Sequence, residues 1–178
     1  MDKPLRIIIS GGGTGGHIFP AVSIANAIMA KHPDAQILFV GALGRMEMQR
    51  VPQAGYQIKG LPVRGLARPL YSPKNIGVII DYFRSKRLAK KIVRSCKPQV
   101  AVGVGGYASA AALNAAESLG VPCLIQEQNS YAGKTNKMLG SKASVICVAY
   151  DGMERFFPAD KIIKTGNPVR QNVVNSDI

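Results

Sequence analysis

The chain has 178 residues, of which 23 are basic and 10 acidic, giving a net charge of +13. A chain of this length fits one domain and buries about 70% of its unfolded surface, so it needs no disulfide or metal to fold. Three scattered cysteines exclude a disulfide scaffold, and the lack of an apolar run of about 20 residues excludes an integral membrane protein. Together with the lack of a signal peptide, these features predict a soluble, cytoplasmic chain.

Short apolar runs alternate with helical patterns along the chain. Runs that are continuous rather than alternating predict parallel strands buried on both faces. Apolar residues at i, i+3, i+4 and i+7 predict a helix after the first strand, and an alanine-rich segment that stops at Gly120 predicts another. This order indicates an α/β fold, a doubly wound parallel sheet of the Rossmann type. The predicted strands are 5–10, 36–40, 100–104, 121–125 and 144–149, the predicted helices are 18–29, 75–96 and 108–119, and 60–74 is predicted to be a long exposed loop.

A glycine-rich turn follows the first predicted strand, with glycines at 11, 12, 13, 15 and 16. The spacing Gly11-x-Gly13-x-x-Gly16, directly between a strand and a helix, lets backbone N–H groups approach a phosphate at the helix N-terminus. The dinucleotide-binding version of this turn also needs an acidic residue at the end of the second strand, to hold the ribose. Residues 40–43 are Val-Gly-Ala-Leu, which argues against that version.

A second turn of the same design, containing Gly103, Gly105 and Gly106, follows the predicted strand at 100–104. Two such turns on adjacent strands are expected to hold a pyrophosphate from both sides. Tyr107, the next residue, either contacts a ligand or packs in the fold, and the sequence leaves both possibilities open.

Two further polar residues are candidates for proton transfer. His17 lies at a helix N-terminus, where the helix dipole disfavours the imidazolium, so a neutral imidazole can accept a proton from a substrate hydroxyl. Glu127 follows a buried strand in Gln-Glu-Gln-Asn, 126–129, at the end where functional residues cluster in such sheets. A cap or packing role for His17, and a cap or ion-pair role for Glu127, are the alternatives.

Four segments together resemble one family. The first is GGGTGGHIFPA at 11–21, followed by VGVGGYASA at 102–110, IQEQNSYAGKTNK at 125–137 and TGNPVR at 165–170. In this order, and over essentially the whole chain, they are similar to the N-terminal domain of the MurG family. The resemblance implies one half of a two-domain GT-B glycosyltransferase that is inverting and needs no catalytic metal or other cofactor.

The resemblance also implies substrates and contacts. The family transfers N-acetylglucosamine from UDP-N-acetylglucosamine to the C4 hydroxyl of lipid I, making lipid II for peptidoglycan synthesis. By position in the motifs, His17 is the candidate general base, with Glu127 as the other candidate. Donor contacts fall on Thr14, Gly15, Gly16, Asn129 and Arg170, and the turns at Gly15-Gly16 and Gly105-Gly106, next to Tyr107, are expected to face the acceptor pyrophosphate.

The family continues into a second domain beyond the last shared motif. We therefore expect residues 1–178 to be the acceptor-binding N-terminal domain of a longer enzyme. The second domain would supply most contacts to UDP-N-acetylglucosamine, so we expect this chain alone to have no transferase activity.

A strongly basic segment, 59–97, contains eleven Lys or Arg residues and a single acidic residue, Asp81. In the helix predicted at 75–96, an apolar side continues into a basic side, an arrangement typical of docking on an anionic membrane. No nucleic-acid-binding module is recognisable, so we expect a peripheral association with the cytoplasmic face of the membrane rather than nucleic-acid binding. The alternative is that the apolar side packs under the loop at 60–74. The docking residues are predicted to be Ile76, Ile79, Ile80, Phe83, Arg87, Lys90 and Lys91.

Three other functions are compatible with parts of the pattern. One is an NAD(P)-binding domain of an oxidoreductase, which the missing acid after the second strand disfavours. Another is a non-catalytic module that binds membrane or RNA through the basic helix. The third is a related GT-B glycosyltransferase with a different acceptor, which only the family motifs argue against.

Overall fold

The computed structural model describes residues 4–65 and 74–169, which form a parallel seven-stranded sheet with helices on both faces. The strands are β1 (Arg6–Gly11), β2 (Gln36–Ala42), β3 (Gln57–Leu61), β4 (Val100–Gly105), β5 (Cys123–Glu127), β6 (Val145–Val148) and β7 (Ile162–Lys164). The helices are α1 (Gly15–Lys31), α2 (Glu47–Gln53), α3 (Lys74–Cys96), α4 (Tyr107–Glu117) and α5 (Lys134–Gly140).

The strand order is β3-β2-β1-β4-β5-β6-β7, and every neighbouring pair is parallel. From β1 the chain builds the sheet outward in one direction, and from β4 it builds in the other. In an open parallel sheet, this reversal leaves a crevice at the carboxyl ends of the two central strands, where ligands bind. The predicted fold class is confirmed, and the two glycine turns follow β1 and β4, the strands that border the crevice.

The apolar residues of β1 pack on both faces of the sheet. Ile7 and Ile9 join the cluster that contains Ile18 of α1, whereas Ile8 joins the cluster that contains Leu113 of α4. Successive side chains of a strand point to opposite faces, so a strand covered by helices on both sides must be apolar throughout. This explains why the continuous run after Leu5 predicted a buried parallel strand.

Strand β3 contradicts the prediction of a long exposed loop beginning at residue 60. Gln57–Leu61 pairs with β2, and both Leu61 and Val63 are buried. Exposed and half-buried residues alternate in β3, which lies at the edge of the sheet. Ile58 and Leu61 are its only apolar side chains, too few for a recognisable strand pattern. The remainder of the predicted loop, 66–73, lies outside the described residues.

Helix α3 packs on the sheet with its second half. Ala89, Ile92 and Val93 are buried, and the half-buried Leu88 packs against the same cluster. The helix connects the carboxyl end of β3 to the amino end of β4, so it runs antiparallel to the strands. The beginning of α3 therefore lies at the same end of the sheet as the two glycine turns.

The thiol of Cys123 is buried, and those of Cys96 and Cys147 are half-buried. Burial raises the pKa of the Cys123 thiol to about 11, and burial also raises the pKa values of the other two thiols. Thiols with raised pKa values carry little thiolate at neutral pH, which makes them poor nucleophiles.

Candidate functional site

The two glycine turns lie against each other at the crevice between β1 and β4. The backbone N–H of Gly12 donates a hydrogen bond to the carbonyl of Gly105 over 3.3 Å. Gly105 and Gly106 have φ angles of 112° and 91°, and a Cβ on Gly106 would lie 2.5 Å from the carbonyl oxygen of Gly12. Both the backbone conformation and this close approach require glycine. The adjacency that the sequence predicted for the two turns is therefore present in the fold.

Two helices begin at this crevice. Helix α1 begins directly after Thr14, and α4 begins directly after Gly106. Neither first turn contains an acidic residue, and neither helix has a side-chain hydrogen bond at its N-cap. Because the first N–H groups of a helix have no partner within it and carry the positive end of its dipole, paired N-termini favour an anionic ligand. Thr14, Gly16 and Tyr107 are all exposed here.

A buried carboxylate, that of Glu47, stabilises the first glycine turn. The sequence did not indicate that this residue is part of the site. Glu47 is fully buried, and its two oxygens accept hydrogen bonds from the backbone N–H groups of Gly13 and Ala42, each over 2.9 Å. The N–H of Gly13 is therefore already occupied and is not free for a dinucleotide phosphate. In the sequence, the only indication that Glu47 is buried is its position between two apolar residues, Met46 and Met48.

His17 lies over the second turn. A Cβ on Gly105 would come within 2.7 Å of its Cε1 atom, so the ring rests on the glycine backbone. The Nδ1 atom of His17 is 3.0 Å from Oε1 of Gln128. Sequence reasoning assigned no role to Gln128. The spacing of Gln128 was the available indication of a role. Successive side chains of an extended chain point to opposite sides, so Gln126 and Gln128 share one side and Glu127 points to the other.

Glu127 is the last residue of β5 rather than part of the loop that follows, and it is fully buried. Its Oε1 accepts hydrogen bonds from the backbone N–H and the side-chain amide of Asn129, both over 3.0 Å. Its Oε2 accepts from the backbone N–H of Gly133 and the side chain of Asn136, both over 2.9 Å. Four donors around one carboxylate support the structural alternative over proton transfer, because they fix the loop between β5 and α5.

The remaining predicted contacts lie around this loop. Asn129 is exposed beside Glu127, and the side-chain amide of Asn167 donates to the backbone carbonyl of Gln128 over 3.2 Å. This bond attaches the segment that precedes Arg170 to the site, and Arg170 itself lies outside the described residues. Tyr107 is 62% exposed, and its hydroxyl would lie 2.9 Å from a Cβ on Gly65.

An apolar patch lies at the beginning of α3. Ile76, Ile79, Ile80 and Phe83 are each more than half exposed, and Tyr82, which the sequence pattern did not include, packs edge-on against Phe83. The loop under which the alternative would pack this side of the helix lies, from 66 to 73, outside the described residues, so the alternative stays open. None of the described helices combines the length and the apolar composition needed to cross a membrane.

Cations follow the apolar patch along α3. Arg87 and Lys91 are exposed and Lys90 is half-buried. Asp81, the single acidic residue of the basic segment, forms an ion pair with Arg64, so its charge is neutralised. The surface that continues from the patch is therefore basic without a competing negative charge.

Residues 7–148 match the family described as the glycosyltransferase family 28 N-terminal domain, which is well over half of the chain. The chain belongs to this family. A Bacteroides thetaiotaomicron relative, named UDP-N-acetylglucosamine–N-acetylmuramyl-(pentapeptide) pyrophosphoryl-undecaprenol N-acetylglucosamine transferase, is 69% identical over 173 residues, 97% of this chain and 46% of the relative. A relative of the same name from Cytophaga hutchinsonii is 62% identical over 98% of this chain and 47% of its own length.

Among solved structures, Acinetobacter baumannii MurG superposes with a TM-score of 0.75 at 30% identity, covering 94% of this chain and 47% of that chain. This glycosyltransferase family 28 chain therefore spans about half the length of the relatives it matches. The family resemblance and the fold expected from the sequence are confirmed. The roles of individual residues remain predictions.

Proposed function

We propose that this chain is the acceptor-binding N-terminal half of a GT-B enzyme that transfers N-acetylglucosamine from UDP-N-acetylglucosamine to the C4 hydroxyl of lipid I. The observation that carries the proposal is the pair of glycine turns packed together at the crevice with His17 between them. The names of the relatives contain UDP-N-acetylglucosamine and an N-acetylmuramyl-(pentapeptide) pyrophosphoryl-undecaprenol, and these names support the choice of substrates.

The reaction proposed here is a displacement at the anomeric carbon of the donor sugar. The C4 hydroxyl oxygen of the acceptor forms a bond to C1, the bond from C1 to the UDP oxygen breaks, and UDP leaves with its electron pair. The configuration at C1 inverts. The hydroxyl proton passes to His17, which acts as the general base.

The other roles follow from position. The turns at Gly15-Gly16 and Gly105-Gly106 bind the acceptor pyrophosphate through backbone N–H groups at the two helix N-termini. Thr14, Asn129 and Arg170 contact the donor, most of whose contacts come from the second domain, and Tyr107 flanks the acceptor. Glu127 supports the site by holding Asn129 in place, and does not itself transfer a proton.

The substrate also explains the apolar patch. Lipid I is anchored in the membrane, so an enzyme that uses it must hold its acceptor site close to the lipid surface. The patch begins at the same end of the sheet as the glycine turns, and cations follow it along the helix. We propose that the patch inserts among the lipids at the cytoplasmic face of the membrane while Arg87, Lys90 and Lys91 contact anionic headgroups.

Calorimetric titration of this chain tests the acceptor site. We expect a short-chain lipid I analogue to bind and NAD not to bind. Gly16→Val should weaken binding of the analogue at least tenfold without unfolding the chain, because a Cβ on Gly16 meets only the Thr14 side chain, at 3.7 Å. A valine there would occupy the space above the turn.

Two outcomes of this titration would contradict the proposal. Binding of NAD without binding of the analogue would favour the dinucleotide domain of an oxidoreductase. Binding of neither ligand would show that the acceptor site is not complete in this half of the enzyme.

Vesicle binding tests the apolar patch. Ile79→Glu combined with Phe83→Glu should weaken binding to phosphatidylglycerol vesicles at least tenfold, because burying each apolar side chain contributes about 1.5–3 kcal/mol. Binding of the unmodified chain should also weaken as salt rises from about 0.05 to 0.5 M. The readout is co-sedimentation with vesicles.

The matched control replaces two exposed apolar residues elsewhere, Met138→Glu with Ile163→Glu. Equal losses in the two double variants would mean that added negative charge alone is responsible. Unchanged binding in the patch variant would reject the patch.

A further inference from the structure

We propose that Gln128 is a positioning residue that fixes the tautomer of His17. In this tautomer the proton of the neutral ring is on Nδ1 and the lone pair is on Nε2. The inference rests on the proposed function in one respect, that the lone pair of Nε2 accepts the proton of the substrate hydroxyl. The assignment of the tautomer itself follows from hydrogen bonds within this chain.

The orientation of the Gln128 amide is determined by two backbone carbonyls. The two N–H groups of its Nε2 donate to the carbonyls of Val104, over 3.2 Å, and Gln126, over 3.1 Å. Rotating the amide by 180° would direct its own oxygen at these two carbonyl oxygens and lose both bonds. Oε1 of Gln128 is therefore the atom that faces His17.

The orientation of the amide decides the proton position on His17. An amide oxygen only accepts hydrogen bonds, so Nδ1 of His17, 3.0 Å away, must be the donor. In a neutral imidazole with its proton on Nδ1, the lone pair is on Nε2, which has no hydrogen-bond partner among the described residues. When Nε2 takes up a proton, Nδ1 remains a donor, so the bond to Gln128 persists through proton transfer.

Both partners are held rigidly enough for this bond to set geometry. The ring of His17 rests on Gly105, and the backbone carbonyl of Gln128 accepts the amide of Asn167. A neutral amide also orients the ring without adding a negative charge beside the pyrophosphate expected at these turns. This is the arrangement in which a third group orients a base by its second nitrogen.

Nitrogen-15 NMR of the His17 ring in this chain tests the proposal. We expect the neutral ring to carry its proton on Nδ1 in the unmodified chain. Gln128→Met keeps the size of the side chain and removes the acceptor, so a major share of the ring should shift to the Nε2-protonated form. Gln53→Met makes the same chemical change on the exposed surface of α2 and should leave the tautomer unchanged.

Protonation of Nε2 in the unmodified chain would overturn the proposal, and this measurement needs no variant to fold. An unchanged tautomer in a folded Gln128→Met chain would overturn it as well. In the full-length enzyme, the same variant should lower kcat at least tenfold with KM unchanged. Because the NMR result does not depend on turnover, failure of the lipid I titration would reject the proposed function and leave the tautomer assignment standing.

Discussion

Glu127→Ala is expected to reduce the free energy of unfolding by about 3–5 kcal/mol, whereas His17→Ala should change it by less than about 1 kcal/mol. The carboxylate of Glu127 is buried and satisfies four N–H donors. Asn129 and Gly133 are exposed, so water can replace the carboxylate there, whereas the side-chain amide of the buried Asn136 would lose this partner. Urea unfolding of the three chains measures the difference.

The kcat of the full-length enzyme should fall more in His17→Ala than in Glu127→Ala, the reverse of the order expected for stability. In the full-length enzyme, His17→Ala should lower kcat by about 10²- to 10⁴-fold, the usual contribution of a general base. Glu117→Ala provides a matched control for the loss of a carboxylate, because Glu117 makes only an exposed ion pair with Lys142. A stable Glu127→Ala enzyme with a loss of kcat as large as that of His17→Ala would instead make Glu127 the base.

Gly106→Ala is expected to cost about 3–5 kcal/mol of stability and to separate the two glycine turns. At φ 91° and ψ 165°, Gly106 has a backbone conformation that is essentially restricted to glycine and costs a residue with a Cβ about 1–3 kcal/mol. The remainder comes from the approach of that Cβ to the carbonyl oxygen of Gly12 at 2.5 Å, which is relieved only if the backbone moves. Ligand binding at the crevice should be lost together with the stability.

Gly120→Ala is the comparison variant, with a positive φ but no close contact. Gly120 also has a positive φ, 75°, but no atom lies within 4 Å of the position its Cβ would take. This variant should lose only about 1 kcal/mol. Equal losses at the two positions, measured by thermal or urea unfolding, would mean that the contact between the turns contributes nothing.

The fold was predictable where one strand or helix carries its own signal. The continuous apolar runs, the stripe after Ile18 and the two glycine turns each reflect burial or backbone conformation that a short window of sequence contains. The strand at 57–61 was missed because its five residues contain only two apolar side chains, too few for a recognisable pattern. The short helix α2 was missed because seven residues with Pro52 inside them are too few for a periodic pattern.

The site was predictable only in part, for a physical reason. His17 stood out at a helix N-terminus and Glu127 after a buried strand, yet burial and four donors give Glu127 a different environment from that of His17. The contacts of Glu47 and Gln128 join residues 34 and 111 positions apart in the chain. Such pairings depend on how strands stack in the sheet, which local sequence patterns do not contain.

The carboxylate of Glu47 has a consequence for affinity. By accepting a hydrogen bond from the N–H of Gly13, it fixes the conformation of the first glycine turn. A ligand therefore does not have to order this turn when it binds. The conformational entropy of that turn is thus lost during folding and not on association. The crevice is preorganised, so a ligand that enters it keeps the full free energy of its own contacts.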